Sequence, residues 1–306
     1  MKKIAVIGSI NMDLTATAER HPKKGETVSG DNLQYLPGGK GANQAVAAAR
    51  LGGDVSLFGC VGDDVFADRL LTGLNENGVD TSAIRRVPNV SSGIAMITVA
   101  EGDNTIVVIP GANRAVTPSY LDEVKDAILS ADILILQNEI PMETVLHAID
   151  MGSKAGKVIL YNPAPFAPLP DGVMEKISYL TPNEHEATLL FPGEDLPRLL
   201  QRFNGKLIVT LGKDGALAWS DGNPIRIPPR PAKVVDTTGA GDTFCGAFAY
   251  ALSDDFPMEQ ALRFANTAAS LSTEGYGAQS SMPSLAQVLA EVPSGNIGSV
   301  KYFPDI

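Results

Sequence analysis

The sequence predicts an α/β fold with a mostly parallel central sheet flanked by helices and a small β-sheet lid. Three observations point to it. Short apolar runs at residues 4–8, 55–59, 133–136, 158–161, 179–181 and 207–211 alternate with stretches of helical periodicity. Alternation of this kind means βα units joined by crossovers. Residues 15–35 and 92–109 break that rhythm, and the second stretch reads as a hairpin turning at Glu101-Gly102-Asp103-Asn104. Two glycine-rich turns, at 37–45 and 236–246, each run straight into a helical pattern.

Taken in order, the chain opens with Met1-Lys2-Lys3 and an apolar run ending at Gly8. That run is too short for a signal peptide and lacks a small-residue cleavage site, so it reads as a first buried strand. Ala42, Ala45, Val46 and Ala49 lie on one face of a helix over 42–50. Further helices are expected at 67–77, 119–129, 142–154 and 258–272. Residues 15–35 are turn-rich and polar, with a weak strand near Gln34. Together with the hairpin they are expected to form a lid over about 14–37 and 92–110, which would exclude water from a pocket; ordinary surface loops are the alternative. With no internal repeat or low-complexity tract, residues 1–306 read as a single domain, and 293–306, rich in Gly, Ser and Pro, as loosely packed.

An apolar fraction of 44% supports a substantial core, and a charged fraction of 19% argues against disorder. The net charge of −11 argues against a nucleic-acid partner, though backbone amides and a few lysines can still hold a nucleotide. Cys60 and Cys245 form no CxxC, and His21, His147 and His185 show no metal-ligand spacing, which speaks against a structural zinc. Two cysteines suit a reducing, cytoplasmic setting. No stretch approaches the roughly 20 apolar residues of a membrane span.

The most informative segment is Asp236-Thr-Thr-Gly-Ala-Gly-Asp-Thr-Phe-Cys-Gly. Phe244, Phe248, Ala251 and Leu252 share one helical face, so Gly239, Ala240 and Gly241 fall at a helix N-terminus. Unpaired N–H groups and the helix dipole there hold phosphate or a developing oxyanion. A carboxylate at such a site, Asp242, reads as a general base beside a phosphoryl acceptor, or as a helix cap. The upstream loop, Pro-Gly-Gly-Lys-Gly-Ala-Asn-Gln-Ala, is not a Walker A motif, since Lys40 is followed by Gly41 and position 34 is Gln. No Gly-x-Gly-x-x-Gly follows the first strand, which disfavours a nicotinamide dehydrogenase. The loop presents Lys40 and Asn43, and an amide suits vicinal hydroxyls. Asp13 and Glu139 follow strands, where a ligand of a parallel sheet binds; Asp13 can accept from a sugar diol or serve a turn. Asn183, Glu184 and Glu186 follow the strand ending at Thr181. They are placed to hold hydrated Mg²⁺, while Asn183 also suits a helix cap.

With these motifs the chain resembles the ribokinase-like carbohydrate kinases along nearly its whole length. Residues 38–45 and 236–244 carry the likeness, supported by Asn162-Pro163-Ala164-Pro165 and Thr181-Pro182-Asn183-Glu184. The resemblance implies a parallel α/β sandwich with a β lid, often shared across a homodimer. It also implies ATP-dependent phosphorylation of a sugar hydroxymethyl group, with the 5-hydroxyl of D-ribose as first expectation. By motif position Asp242 would be the base and Gly239, Ala240 and Gly241 the anion hole. Asp13, Gly39, Lys40, Asn43 and Glu139 would hold the sugar; Asn183, Thr210, Gly212, Gly241 and Asn266 would lie by the nucleotide. Glu186 would order Mg²⁺ through water, and Asp236, Thr238, Gly275, Gly277 and Ser281 would surround K⁺. Position 239 is Gly where family members often carry Ala, residues 191–203 look trimmed of a helix, and the chain after Pro283 looks unlike the usual terminal helix. Alternatives are phosphorylation of fructose, 2-deoxyribose, a keto-deoxy acid or adenosine, or a sugar sensor without catalysis. The lid offers only Tyr35 among aromatics, plus Met96, which favours a free sugar over a nucleoside.

Overall fold

A computed structural model describes residues 1–220 and 222–292. Strand β1 (Ile4–Ile7) is buried on both faces, as an unbroken apolar run in a helix-covered parallel sheet must be. From it the chain enters β2 (Asn11–Ala18) and returns along β3 (Gly30–Gly38) into helix α1 (Lys40–Arg50). Next come β4 (Val55–Phe58), β5 (Cys60–Val61), α2 (Ala67–Glu76), β6 (Arg85–Arg86), and the hairpin β7 (Gly93–Ala100) and β8 (Asp103–Ile109). Helices α3 (Pro118–Glu123) and α4 (Lys125–Leu129) lead to β9 (Ile133–Leu136), α5 (Met142–Lys154) and β10 (Val158–Tyr161). Then follow α6 (Val173–Lys176), β11 (Tyr179–Leu180), α7 (Glu184–Leu190), α8 (Leu196–Phe203), β12 (Val209–Thr210), β13 (Ala216–Ser220) and β14 (Asn223–Ile227). Four helices complete the described chain: α9 (Ala240–Ser253), α10 (Met258–Ser272), α11 (Ala278–Ser281) and α12 (Leu285–Glu291).

The central sheet has the order β11-β10-β9-β1-β4, with every pairing parallel. A parallel bridge between Leu180 and Leu207 carries it on towards the antiparallel β12-β13-β14 sheet. Successive strand residues feed opposite helical layers. Ile4, Val6, Ile133 and Ile135 pack with Ala45 and Val46 of α1 and with Phe244 and Phe248 of α9. Ala5, Ile7, Leu134 and Leu136 pack with Val145, Ala148 and Ile149 of α5. The helices α5 and α10 keep the bounds their periodicity predicts.

A separate sheet of order β3-β2-β7-β8 unites the two segments expected to form a lid. β2 pairs antiparallel with β3 and parallel with β7, so the first segment holds two long strands where the sequence suggests turns and one weak strand. Residues 119–129 are also not one helix: at Val124 (φ −105°, ψ 14°) the backbone leaves helical geometry and α3 gives way to α4. Helix α8 stands in the segment that looks trimmed, and α12 stands after Pro283. The loose packing expected of 293–306 lies outside the described residues. Among the described residues no helix is long and apolar enough to cross a membrane.

Candidate active site

Parallel pairing in register fixes what meets at the carboxyl edge of the sheet. Ile7 pairs with Leu136, and Leu136 with Tyr161, so Gly8, Gln137 and Asn162, the next residues along, stand side by side. Glu139 lies two residues beyond Gln137. Its Oε2 accepts from the Ser9 hydroxyl (2.6 Å) and from the Lys40 backbone N–H (3.0 Å), one of the donors left free at the start of α1. Asp13 reaches the same edge from β2. Its carboxylate lies against Gly38, where a Cβ would fall 2.2 Å from Oδ2, so any larger residue there would push the carboxylate aside. Burial, then the charges of Glu139 and Asp242, push Asp13 up to about 7 from an ordinary 3.8. Asp13 therefore lies within electrostatic reach of both Glu139 and Asp242.

Beside them opens a cavity of ≈ 530 Å³ lined in part by Asn11, Val108, Asn113, Asn138 and Glu139. The sequence reading missed Asn11 and Asn113. Asn113 Nδ2 donates to Asn11 Oδ1 (2.7 Å) and Asn113 Oδ1 accepts from the Ile10 N–H (2.9 Å), which turns the Asn11 amide into a fixed element of the wall. Asn11 shares its face of β2 with Asp13, and that period of two was the signal available.

Gly39 caps α1, and Gly239 caps α9 with φ 76°, a left-handed conformation that Ala would adopt only under strain. Ala240 and Gly241 form the first turn of α9 and Asp242 follows, buried, at 6% exposure. Asp242 makes no capping bond. Its oxygens instead accept from α1 across the core: Oδ2 from Asn43 Nδ2 (3.0 Å) and Oδ1 from Gln44 Nε2 (3.0 Å). The nearby Lys40 ammonium is held above its ordinary range, chiefly by the charge of Asp242. A polar cavity of ≈ 200 Å³ between them is walled by Lys40, Asn183, Glu186, Thr210, Gly239 and Gly241. Its size and polarity suit a phosphate group.

Asn183, Thr210 and Gly241 also line a second, largely apolar cavity of ≈ 490 Å³ with Gly212, Val234, Phe244 and Asn266. Asn266 donates from Nδ2 to the Pro228 carbonyl (2.8 Å), holding the far wall. Asn183 does cap α7: its side chain accepts from the Glu186 N–H (2.7 Å), and Glu186 Oε2 accepts from the Asn183 N–H (2.9 Å).

The five residues expected around a monovalent cation lie together beside the start of α9. Asp236 Oδ1 accepts from the Thr238 N–H (2.9 Å), and Oδ2 from the Gly277 N–H (2.9 Å). The Ser281 hydroxyl donates to the Gly277 carbonyl (2.6 Å), and Gly275 is close enough to Ser281 that a Cβ would stand 2.9 Å from its Cβ. Among the described residues no group of three or more His, Cys, Asp or Glu side chains gathers as a metal site.

Comparison with known proteins agrees with this architecture. Residues 1–285 match the pfkB family of carbohydrate kinases. The chain is 47% identical over 288 residues to a ribokinase of Bacillus subtilis, covering 94% of this chain and 98% of that protein. It is 38% identical over 295 residues to a deoxyribokinase of Salmonella typhi, covering 93% and 96%. The structure of an Arabidopsis thaliana ribokinase complexed with ribose and ATP superposes with a TM-score of 0.87 at 35% identity, covering 94% of this chain and 98% of that one. The chain belongs to the pfkB family of carbohydrate kinases.

Proposed function

We propose that the chain transfers the γ-phosphoryl group of ATP to the 5-hydroxyl of D-ribose. The observation that carries this reading is the place of Asp242. It sits at the glycine-rich start of α9, beside a phosphate-sized cavity and near the carboxylates Asp13 and Glu139. Similarity to a 47% identical ribokinase and to a ribokinase holding ribose and ATP supports it. In this reading Asp13, Gly39, Lys40, Asn43 and Glu139 bind the sugar, and Asn183, Thr210, Gly212, Gly241 and Asn266 bind the nucleotide.

Phosphoryl transfer asks for alignment and charge neutralisation more than for covalent chemistry. Asp13 and Glu139 fix the sugar through its hydroxyls. Asp242 accepts the proton of the attacking hydroxyl as the new P–O bond forms. The N–H groups of the 239–241 turn and the Lys40 ammonium receive the charge on the transferred group. Glu186 keeps one oxygen outside its capping bond, which fits holding hydrated Mg²⁺; bound there, the ion would neutralise phosphate charge. The loops of Asp236 and Thr238 and of Gly275, Gly277 and Ser281, stitched together by hydrogen bonds, fit K⁺, which would add positive charge beside the anion hole.

The same reading treats residues 1–306 as one kinase unit whose β3-β2-β7-β8 sheet is a lid, and a homodimer joined through it. On the edge strand β8, Ile106, Val107 and Val108 are 51%, 62% and 50% exposed, and apolar side chains on an unpaired edge call for a partner. Val107→Lys is expected to turn the dimer into a monomer by light scattering; a dimer in that variant would remove the lid from the interface. Cys60 and Cys245, both free and buried, suit a cytoplasmic protein.

The deciding assay couples ADP release to a readout, with Mg-ATP and D-ribose, 2-deoxyribose, fructose or adenosine, with and without potassium. Ribose-dependent turnover raised by potassium is expected. Turnover with another acceptor alone would keep the phosphoryl chemistry and overturn the sugar.

A further inference from the structure

Asp242 is acceptor-only as a carboxylate, and that fixes the orientation of every amide around it. Gln44 must present its NH2 to Asp242, and Nε2 donates both to Asp242 Oδ1 (3.0 Å) and to Asn162 Oδ1 (3.1 Å). The Gln44 carbonyl then faces away, and it accepts from Gln137 Nε2 (2.7 Å). Asn162, its oxygen taken, donates from Nδ2 to the Thr181 carbonyl (2.8 Å). Gln44 and Gln137 are 0% exposed and Asn162 is 8% exposed. The chain of amides ends on Gln137 Oε1, a buried acceptor with no hydrogen-bond partner in the described structure.

That orphan is informative. A buried acceptor left unpaired is costly, and native proteins keep few of them. Turning the Gln137 amide over would move its NH2 to that position but set its oxygen against the Gln44 oxygen. The orphan therefore exists because the NH2 of Gln137 is needed on Gln44. The alignment of the whole chain, donors towards Asp242, is held at the expense of its far end.

We propose that Gln44 is a positioning residue for phosphoryl transfer, held in place by Gln137 and Asn162, and that this buried amide chain sets the orientation of the Asp242 carboxylate towards the acceptor hydroxyl. Asn43 performs the matching task on Oδ2, with its own oxygen accepting from Gln279 Nε2 (3.1 Å). With one lone pair of each oxygen engaged by α1, rotation of the carboxylate about its Cβ–Cγ bond is stopped and the remaining lone pair of each oxygen has a defined direction for the incoming proton. Neither Gln44 nor Gln137 lines any of the three cavities, whereas Asn162 and Asp242 both line the phosphate-sized one, so Gln44 acts on that site through the groups it holds. The inference rests on Asp242 being the base.

The test measures kcat, KM for ribose and KM for ATP in Gln44→Met, Gln137→Met, the double variant and Asp242→Asn, with thermal melts of each. Methionine keeps the length of glutamine and removes its donors. Gln44→Met is expected to lower kcat on the order of 10- to 100-fold while both KM values stay within about twofold, because misplacement of a reacting group acts on the transition state. Gln137→Met is expected to lower kcat several-fold, also at unchanged KM, and to add nothing to Gln44→Met, since its only bond in the chain is then gone. Additive losses, or KM rising in step with the fall in kcat, would overturn the chain as a positioning device. So would a wild-type kcat in Gln137→Met, which remains readable if Gln44→Met does not fold. Turnover retained by Asp242→Asn would remove the base itself, whereas an inactive Asp242→Asn beside an unimpaired Gln44→Met would remove only the amide chain.

Discussion

Asp242→Asn is expected to lower kcat by about 10²–10⁴-fold, the usual worth of a positioned proton acceptor, while ribose still binds by calorimetry. The substitution keeps the shape of the side chain and removes its capacity to take a proton. It has a second consequence. Both oxygens of Asp242 accept from buried amides of α1, and Asn turns one of them into a donor facing Asn43 or Gln44. One buried N–H is left without an acceptor, at a cost of about 1–3 kcal/mol. A lower Tm is therefore expected alongside the lost turnover, and Asp242→Ala serves as control because it strands both donors and should melt lower still. Undiminished kcat in Asp242→Asn would end the general-base assignment.

The second large effect is expected at Asp13, and it has opposite signs for function and stability. Its carboxyl is raised to about 7 in the folded protein from 3.8. A carboxylate raised in the fold favours the folded state fully below pH 3.8, and loses that contribution as the pH climbs to about 7. Above that pH the free protein carries a half-buried charge beside Glu139 and Asp242. Asp13→Asn should then melt higher than the parent at pH 8 and show little difference at the acid end. In the proposed reading the same ionisation is what the sugar needs, since the carboxylate accepts from two hydroxyls at once. Ribose kcat/KM is expected to rise about tenfold per pH unit below 7 and to level off above it. In Asp13→Asn it should fall to a small residue at every pH. A flat pH profile, or a variant that melts lower at pH 8, would contradict the placement of these three carboxylates.

The two glycine turns and the helices they open were legible because their signals are local. Glycines before a periodic apolar stretch mark a helix start, and α1 and α9 begin there. The helices α5 and α10 were readable to the residue for the same reason: each alternates a buried and a solvated face over more than three turns. What escaped was set by distant chain. β2 pairs with β7, some eighty residues on, and polar residues such as the buried Thr15 and half-buried Thr17 look like turn chemistry until that partner is known. The hairpin of β13 and β14 went unread because Gly215, Gly222 and Pro224 punctuate it like a loop. In the site, Asp242, Asp13 and Glu139 could be named one by one from motif and strand end. The amide chain could not, because Gln44, Gln137 and Asn162 come from three parts of the sequence that meet only through sheet register.

Asp13 stands on β2 and Val108 on β8, in the sheet separate from the central one, whereas Asp242 and the glycine turn belong to the start of α9. In the proposed reading one part of the acceptor site, Asp13, is thus supplied by the outer sheet, and the phosphoryl-transfer residues by the start of α9. Altered strands in the outer sheet would reshape that part of the acceptor site while leaving the start of α9 as it is. Relatives bearing the names ribokinase and deoxyribokinase, both aligned along nearly all of this chain, are what such a division of labour would leave behind.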